Sequence, residues 1–176
     1  MKILHISLAS ILLLILCCSE NRITENYSND SESYGSLVTY SGCKEFHSAN
    51  YINGTPSSND CIEYQYDGES VLLIKHVNAG FNCCPDEILA EIRVSGNEII
   101  IEEKEEMDMP CPCLCLYDLD YEIANLKPGK YEIKVIEPYI TEGDDILETV
   151  LDLSSATSGS FCIERIHYPW NHDAVE

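Results

Sequence analysis

Cys111-Pro112-Cys113-Leu114-Cys115-Leu116-Tyr117-Asp118-Leu119-Asp120-Tyr121-Glu122-Ile123 reads with a period of two. In an extended chain successive side chains point to opposite faces. Cys111, Cys113, Cys115, Tyr117, Leu119, Tyr121 and Ile123 therefore share one side, and Leu114, Leu116, Asp118, Asp120 and Glu122 the other. The first set makes a core face and the second a solvent face, so the stretch predicts a half-buried strand. Just beyond it, Lys127-Pro128-Gly129 turns the chain. Tyr131, Ile133 and Val135 then alternate with Lys130, Glu132 and Lys134 until Pro138 stops the strand.

The same period runs upstream. Ile62, Tyr64 and Tyr66 alternate with Cys61, Glu63 and Gln65 before the Asp67-Gly68 turn, and Val71 to Val77 is an apolar run suited to a central strand, with Asn78-Ala79-Gly80 ending it. Ile88, Ala90, Ile92 and Val94 alternate with Leu89, Glu91 and Arg93, and Ser95-Gly96-Asn97 leads into Glu98-Ile99-Ile100-Ile101, which predicts a hairpin. Pro85-Asp86-Glu87 also suits a helical first turn, but the alternation favours strand. Glu102 to Glu106 reads as a solvated strand end and loop. Ile146 to Leu153 fits a helical face or an extended one, Ser154 to Ser160 reads as loop, and Phe161 to Tyr168 as the last strand. The fold class is all-β with little helix.

The chain has 176 residues, 45% of them hydrophobic, enough for one domain with a sizeable core. Its formal net charge of −21 becomes −22 once a leader containing Lys2 is removed. A surface so acidic, with few Lys and Arg, repels phosphate backbones, so no nucleic-acid partner is expected. Met1-Lys2 followed by the apolar run Ile3 to Leu16 suits a secretory leader over residues 1–18 and is short for a membrane span. Leu14-Ile15-Leu16-Cys17 and Ile15-Leu16-Cys17-Cys18 resemble a lipoprotein box without its small residue, making Cys17 and Cys18 lipidation candidates; ordinary cleavage after Ser19 competes. Residues 19–36 are polar and acidic, a flexible tether, and 37–176 form the domain.

Leu126-Lys127-Pro128-Gly129-Lys130-Tyr131 resembles the corner between the fifth and sixth strands of fibronectin type III and other immunoglobulin-like sandwiches. That resemblance implies an immunoglobulin-like β-sandwich of about seven to nine antiparallel strands. In it the Tyr131 hydroxyl bonds back to the upstream backbone, with Leu126, Pro128 and Gly129 shaping the corner. One residue fewer than the usual fibronectin spacing separates Gly129 from Tyr131. Acidic, cysteine-rich strands behind a lipobox-like leader also resemble uncharacterised lipoproteins of bacterial envelopes.

Outside the leader lie eight of the ten cysteines: Cys43, Cys61, Cys83, Cys84, Cys111, Cys113, Cys115 and Cys162. An even count in an exported chain favours disulfides, with roughly a hundred possible connectivities. Neighbours two apart on a strand are badly directed for a bridge, so Cys111, Cys113 and Cys115 should pair outward, with the Cys83-Cys84 region among their partners. The alternative is a soft-metal site for Cu or Zn built from Cys83, Cys84, Cys111, Cys113 and Cys115 with Met107 and Met109. Buried reduced thiols are a third state. Glu142 to Asp145 and Asp118-x-Asp120 lack the ordered ligand loop of a calcium site. Nothing places His47, His76, His167 or His172 beside a thiol, and the catalytic motifs of hydrolases and thiol oxidoreductases are missing. The expectation is therefore a non-enzymatic binding or structural module without a cofactor. It would be exported to the bacterial cell envelope, as a periplasmic or outer-membrane lipoprotein, or secreted. Its partners would be a membrane through an N-terminal lipid and an envelope protein or glycan.

Overall fold

A computed structural model describes residues 32–44, 55–140 and 143–165; the leader, Cys17, Cys18, most of the tether, His47, His167 and His172 lie outside them. The described residues contain no helix. They form nine strands: β1 (Tyr34–Tyr40), β2 (Asn59–Tyr66), β3 (Leu72–Asn82), β4 (Glu87–Ser95), β5 (Glu98–Glu106), β6 (Leu114–Ala124), β7 (Lys130–Ile136), β8 (Leu147–Asp152) and β9 (Ser158–Glu164). One sheet has the order β1-β6-β3-β2-β9 and the other β4-β5-β7-β8. Ile62, Leu72, Ile74, Phe81, Leu119 and Tyr121 from the first meet Ile88, Ile99, Ile101, Ile133 and Leu147 from the second in one core, making a β-sandwich.

β6 buries Cys115, Tyr117, Leu119, Tyr121 and Ile123 on its inward face; on the face expected to meet solvent Glu122 is exposed and Asp118 and Asp120 half-buried, but Leu116 is fully buried. After β6 the chain crosses to the second sheet through the Leu126 to Gly129 corner. The Tyr131 hydroxyl donates to the Lys127 carbonyl at 2.9 Å, and the Tyr66 hydroxyl donates to the Leu126 carbonyl at 2.9 Å. Two tyrosines from different sheets thus hold the two carbonyls of the corner. A Tyr131→Phe chain keeps the ring and loses the first bond; it should be less stable by about 1 kcal/mol in urea titrations.

Several boundaries differ from the sequence expectation, each for a physical reason. One pair, β5 with β7, is parallel: β6 intervenes in the other sheet, so the chain returns to the second sheet running in its earlier direction. β3 does not end at Asn78 but continues to Asn82 through a bulge between Val77 and Ala79. Asn78 takes φ 71° there, a left-handed conformation that Asn tolerates, and its amide donates to the Pro56 and Asn59 carbonyls while Lys44 donates to its oxygen. β1 starts at Tyr34, inside the expected tether, paired with β6 from Tyr34 opposite Ala124. Leu147 to Asp152 is extended, paired with β7, which settles the helix-or-strand ambiguity of that stretch. β9 begins at Ser158, within the expected loop, and pairs with β2.

All eight cysteines are bridged: Cys43–Cys115, Cys61–Cys162, Cys83–Cys113 and Cys84–Cys111. None of Cys111, Cys113 and Cys115 pairs with another, as their spacing required, and Cys111 and Cys113 precede β6 rather than lie on it. Two adjacent bridges clamp the turn after β3 to the approach to β6. Asn82, 4% exposed, organises this clamp: its oxygen accepts from the Cys84 and Cys111 amides at 3.1 Å each, and its amide donates to the Cys111 carbonyl at 2.8 Å. The fourth bridge joins facing residues of β2 and the edge strand β9.

Candidate functional site

The inward parity of five strands ends in charge. On β2, Tyr66 and Ile62 lead to Asp60; on β3, Leu72 and Ile74 lead to His76; on β5, Ile99 and Ile101 lead to Glu103. Ile133 and Val135 of β7 lead to Glu137 just past the strand, and Phe161 and Ile163 of β9 lead to Arg165. Alternation places all five inside, where Asp60 and His76 are fully buried and Glu103, Glu137 and Arg165 are 3%, 5% and 7% exposed.

They meet. His76 Nδ1 lies 2.6 Å from Glu103 Oε1 and His76 Nε2 lies 2.7 Å from Asp60 Oδ1. The Arg165 guanidinium donates through Nε and Nη2 to Asp60 Oδ2, through Nη2 to Glu137 Oε2 at 2.6 Å, and through Nη1 to the Asp145 carbonyl. The Tyr121 hydroxyl donates to Glu103 Oε1 at 2.5 Å. Two carboxylate oxygens, Glu103 Oε2 and Glu137 Oε1, are buried with no hydrogen-bond partner among the described residues.

Both ring nitrogens of His76 face carboxylate oxygens, so both donate and the ring is an imidazolium. Burial alone would lower its pKa; the charges of Glu103 and Asp60 overcome this and hold it well above the usual histidine range. Burial pushes the Asp60 carboxyl up, but His76 and Arg165 together bring it below its ordinary value. Glu137 is raised well above the carboxylate range by burial, then by the charge of Asp60, against the opposing pull of His76 and Arg165. Burial, then Glu103, keeps Tyr121 a hydroxyl donor.

These shifts fix a pH dependence. The contribution of His76 is complete below its unfolded pKa of about 6.5 and is lost as pH rises through the higher folded value. Glu137 acts in the same direction: its native form favours the proton, so a penalty grows above the unfolded value of about 4.3. Asp60, depressed when folded, contributes above about 3.9 and loses that contribution as pH falls through its folded value. Urea midpoints in buffer containing a chelator should therefore be higher near pH 5.5 than near pH 8.5; a rise across that interval would contradict this electrostatic account.

The expected soft-metal set is not assembled as ligands. The sulfurs of Cys83, Cys84, Cys111, Cys113 and Cys115 are all in bridges, Met109 is 83% exposed and Met107 half-buried. Asp118 pairs with Lys44 and Lys75 and accepts from the Asn78 backbone N–H. Leu126, Pro128, Gly129 and Tyr131 stand at the corner, which Leu126, 60 residues from Tyr66 in sequence, joins to β2 through its carbonyl. What was missed is the ionic centre. Its one legible signal was parity: Glu103, taken as part of a solvated run, continues the alternation of Ile99 and Ile101 inside a strand that reaches Glu106. Asp60, His76 and Glu137 each bring one donor atom to within 4.8 Å of the others; His76 Nε2 lies 2.7 Å from Asp60 Oδ1 and 3.9 Å from Glu137 Oε1. Compared with known proteins, the chain matches no family model, no curated protein and no solved structure.

Proposed function

We propose that the chain is an exported module of the bacterial cell envelope that binds an envelope protein or glycan or serves as a structural part, and is not an enzyme. A lipid on Cys17 or Cys18 would hold it at a membrane; cleavage after Ser19 would release it. The observation that supports this reading best is the pairing of all eight cysteines outside the leader, since bridges persist in oxidising compartments and are reduced in the cytosol. The tyrosine bond at the Leu126 to Tyr131 corner supports an immunoglobulin-like relationship, a fold that commonly serves as a binding module. The acidic surface argues against nucleic acid.

Cell fractionation with intact-mass analysis tests the reading. The expected result is a processed chain outside the cytosol with no alkylatable thiol in its domain, carrying a diacylglyceryl mass increment if lipidated. A full-length chain in the cytosol with all ten cysteines as free thiols would refute it.

A further inference from the structure

The buried centre divides its oxygens in a way that a salt bridge alone does not require. Arg165 takes Asp60 Oδ2 and Glu137 Oε2, one oxygen from each carboxylate. The remaining oxygens, Asp60 Oδ1 and Glu137 Oε1, face His76 Nε2 at 2.7 and 3.9 Å, and Glu137 Oε1 has no hydrogen-bond partner although its side chain is 1% exposed. The other ring nitrogen of His76 is fixed by Glu103, which is held in turn by Tyr121. We propose that Asp60 Oδ1, His76 Nε2 and Glu137 Oε1 form a binding site for a divalent first-row transition cation, with Arg165, Glu103 and Tyr121 as its outer support.

Each ligand then has the partner that such sites need. A histidine whose far nitrogen bonds a carboxylate is oriented for a metal, and carboxylates are oriented by donors on their second oxygens. An ion about 2.0–2.1 Å from each donor sets tetrahedral donors about 3.3 Å apart, a separation that the present 2.7 and 3.9 Å bracket. The cation displaces the proton between His76 and Asp60 and the proton that burial favours on Glu137, releasing both to solvent, and gives Glu137 Oε1 a partner. A dication with Arg165 also balances the three carboxylates Asp60, Glu103 and Glu137. One imidazole with two carboxylates suits Zn²⁺, Co²⁺ or Mn²⁺; three protein donors are too few for Ca²⁺, and the imidazole disfavours Mg²⁺. Glu137 also lines a pocket of about 470 Å³ with Val135, Ile136, Ile140 and Ile146. The site does not depend on where the cell places the chain.

The test is titration of the oxidised full chain, stripped with chelator, with Zn²⁺ in about 0.15 M salt, which screens the acidic surface. Calorimetry and native mass spectrometry should show one equivalent bound and an increased melting temperature. Glu137→Gln keeps an acceptor for Arg165 but loses the anionic ligand, and should weaken binding more than about 100-fold; Glu103→Gln, acting through His76, should weaken it about 10- to 100-fold. Glu63→Gln and Glu122→Gln, on the outer face, should leave it unchanged. Should Glu137→Gln fail to fold, Co²⁺ on the unaltered chain decides: ligand-field bands without a thiolate charge-transfer band support the site, and a thiolate band overturns it. Absence of stoichiometric binding by the folded chain overturns it, as does binding that a folded Glu137→Gln variant leaves unchanged.

Discussion

Reduction of the four bridges unfolds the domain at room temperature: this is the largest effect expected here. A bridge typically contributes about 2–4 kcal/mol, within a range of about 0–5, mainly by restricting the unfolded chain, and the four together rival the 5–15 kcal/mol by which whole domains are stable. They are not equivalent. Cys61–Cys162 spans 101 residues and Cys43–Cys115 spans 72, whereas Cys84–Cys111 spans 27 and lies inside the 30 of Cys83–Cys113. Once the outer loop of that pair is closed, the inner bridge removes little further chain entropy. Replacing both members of a pair by Ala should therefore cost most for Cys61 and Cys162, about 4–5 kcal/mol on the loop-entropy scale, and least for Cys84 and Cys111. Urea unfolding of the four paired variants gives the ranking. A reduced chain that keeps its sheet circular dichroism and a cooperative melt would show that the core alone suffices.

Arg165→Met is the second large effect. Arg165 fills a buried position from which it satisfies Asp60 Oδ2, Glu137 Oε2 and the Asp145 carbonyl. Met matches its length and removes its charge, leaving His76 as the cation facing three carboxyl groups. Breaking a buried ionic set by removing one partner costs about 3–5 kcal/mol, because the remaining charges stay desolvated and unpaired. Replacing Asp60, His76, Glu103, Glu137 and Arg165 together with apolar residues of similar volume should cost less than Arg165→Met alone, since buried ion sets roughly break even against well-packed hydrophobic ones. Chemical denaturation of both variants measures this. If the combined variant were the less stable, the centre would be a net source of stability, and stability alone would account for it.

The parts of the fold legible in the sequence are those governed by neighbours two apart. The inward face of β6, the β4–β5 hairpin around Gly96 and the β7 alternation follow from local parity and from turn chemistry. The Tyr131 corner was legible because it is a local motif, its bond spanning four residues. The centre was illegible for the opposite reason. Asp60 and Arg165 meet across 105 residues and Glu103 reaches His76 from the other sheet, 27 residues away. No spacing rule connects such residues, and in a chain with 31 acidic side chains a buried glutamate looks like its solvated neighbours. Burial there depends on an Arg and a His arriving from separate strands, which only the assembled sandwich provides. The cysteines lay between these cases: geometry forbade bridges within Cys111 to Cys115, but the Cys83 and Cys84 partners follow from the long-range β3–β6 register, which sets Asn82 opposite Leu114 and so brings the two flanking segments together.

A non-reducing peptide map of the chain produced in an oxidising compartment tests the account most directly, because the bridges define both the fold and the proposed location. The predicted map contains Cys43–Cys115, Cys61–Cys162, Cys83–Cys113 and Cys84–Cys111 and no free thiol in the domain. Free thiols at these positions, or Cys61 and Cys162 linked to cysteines other than each other, would contradict it.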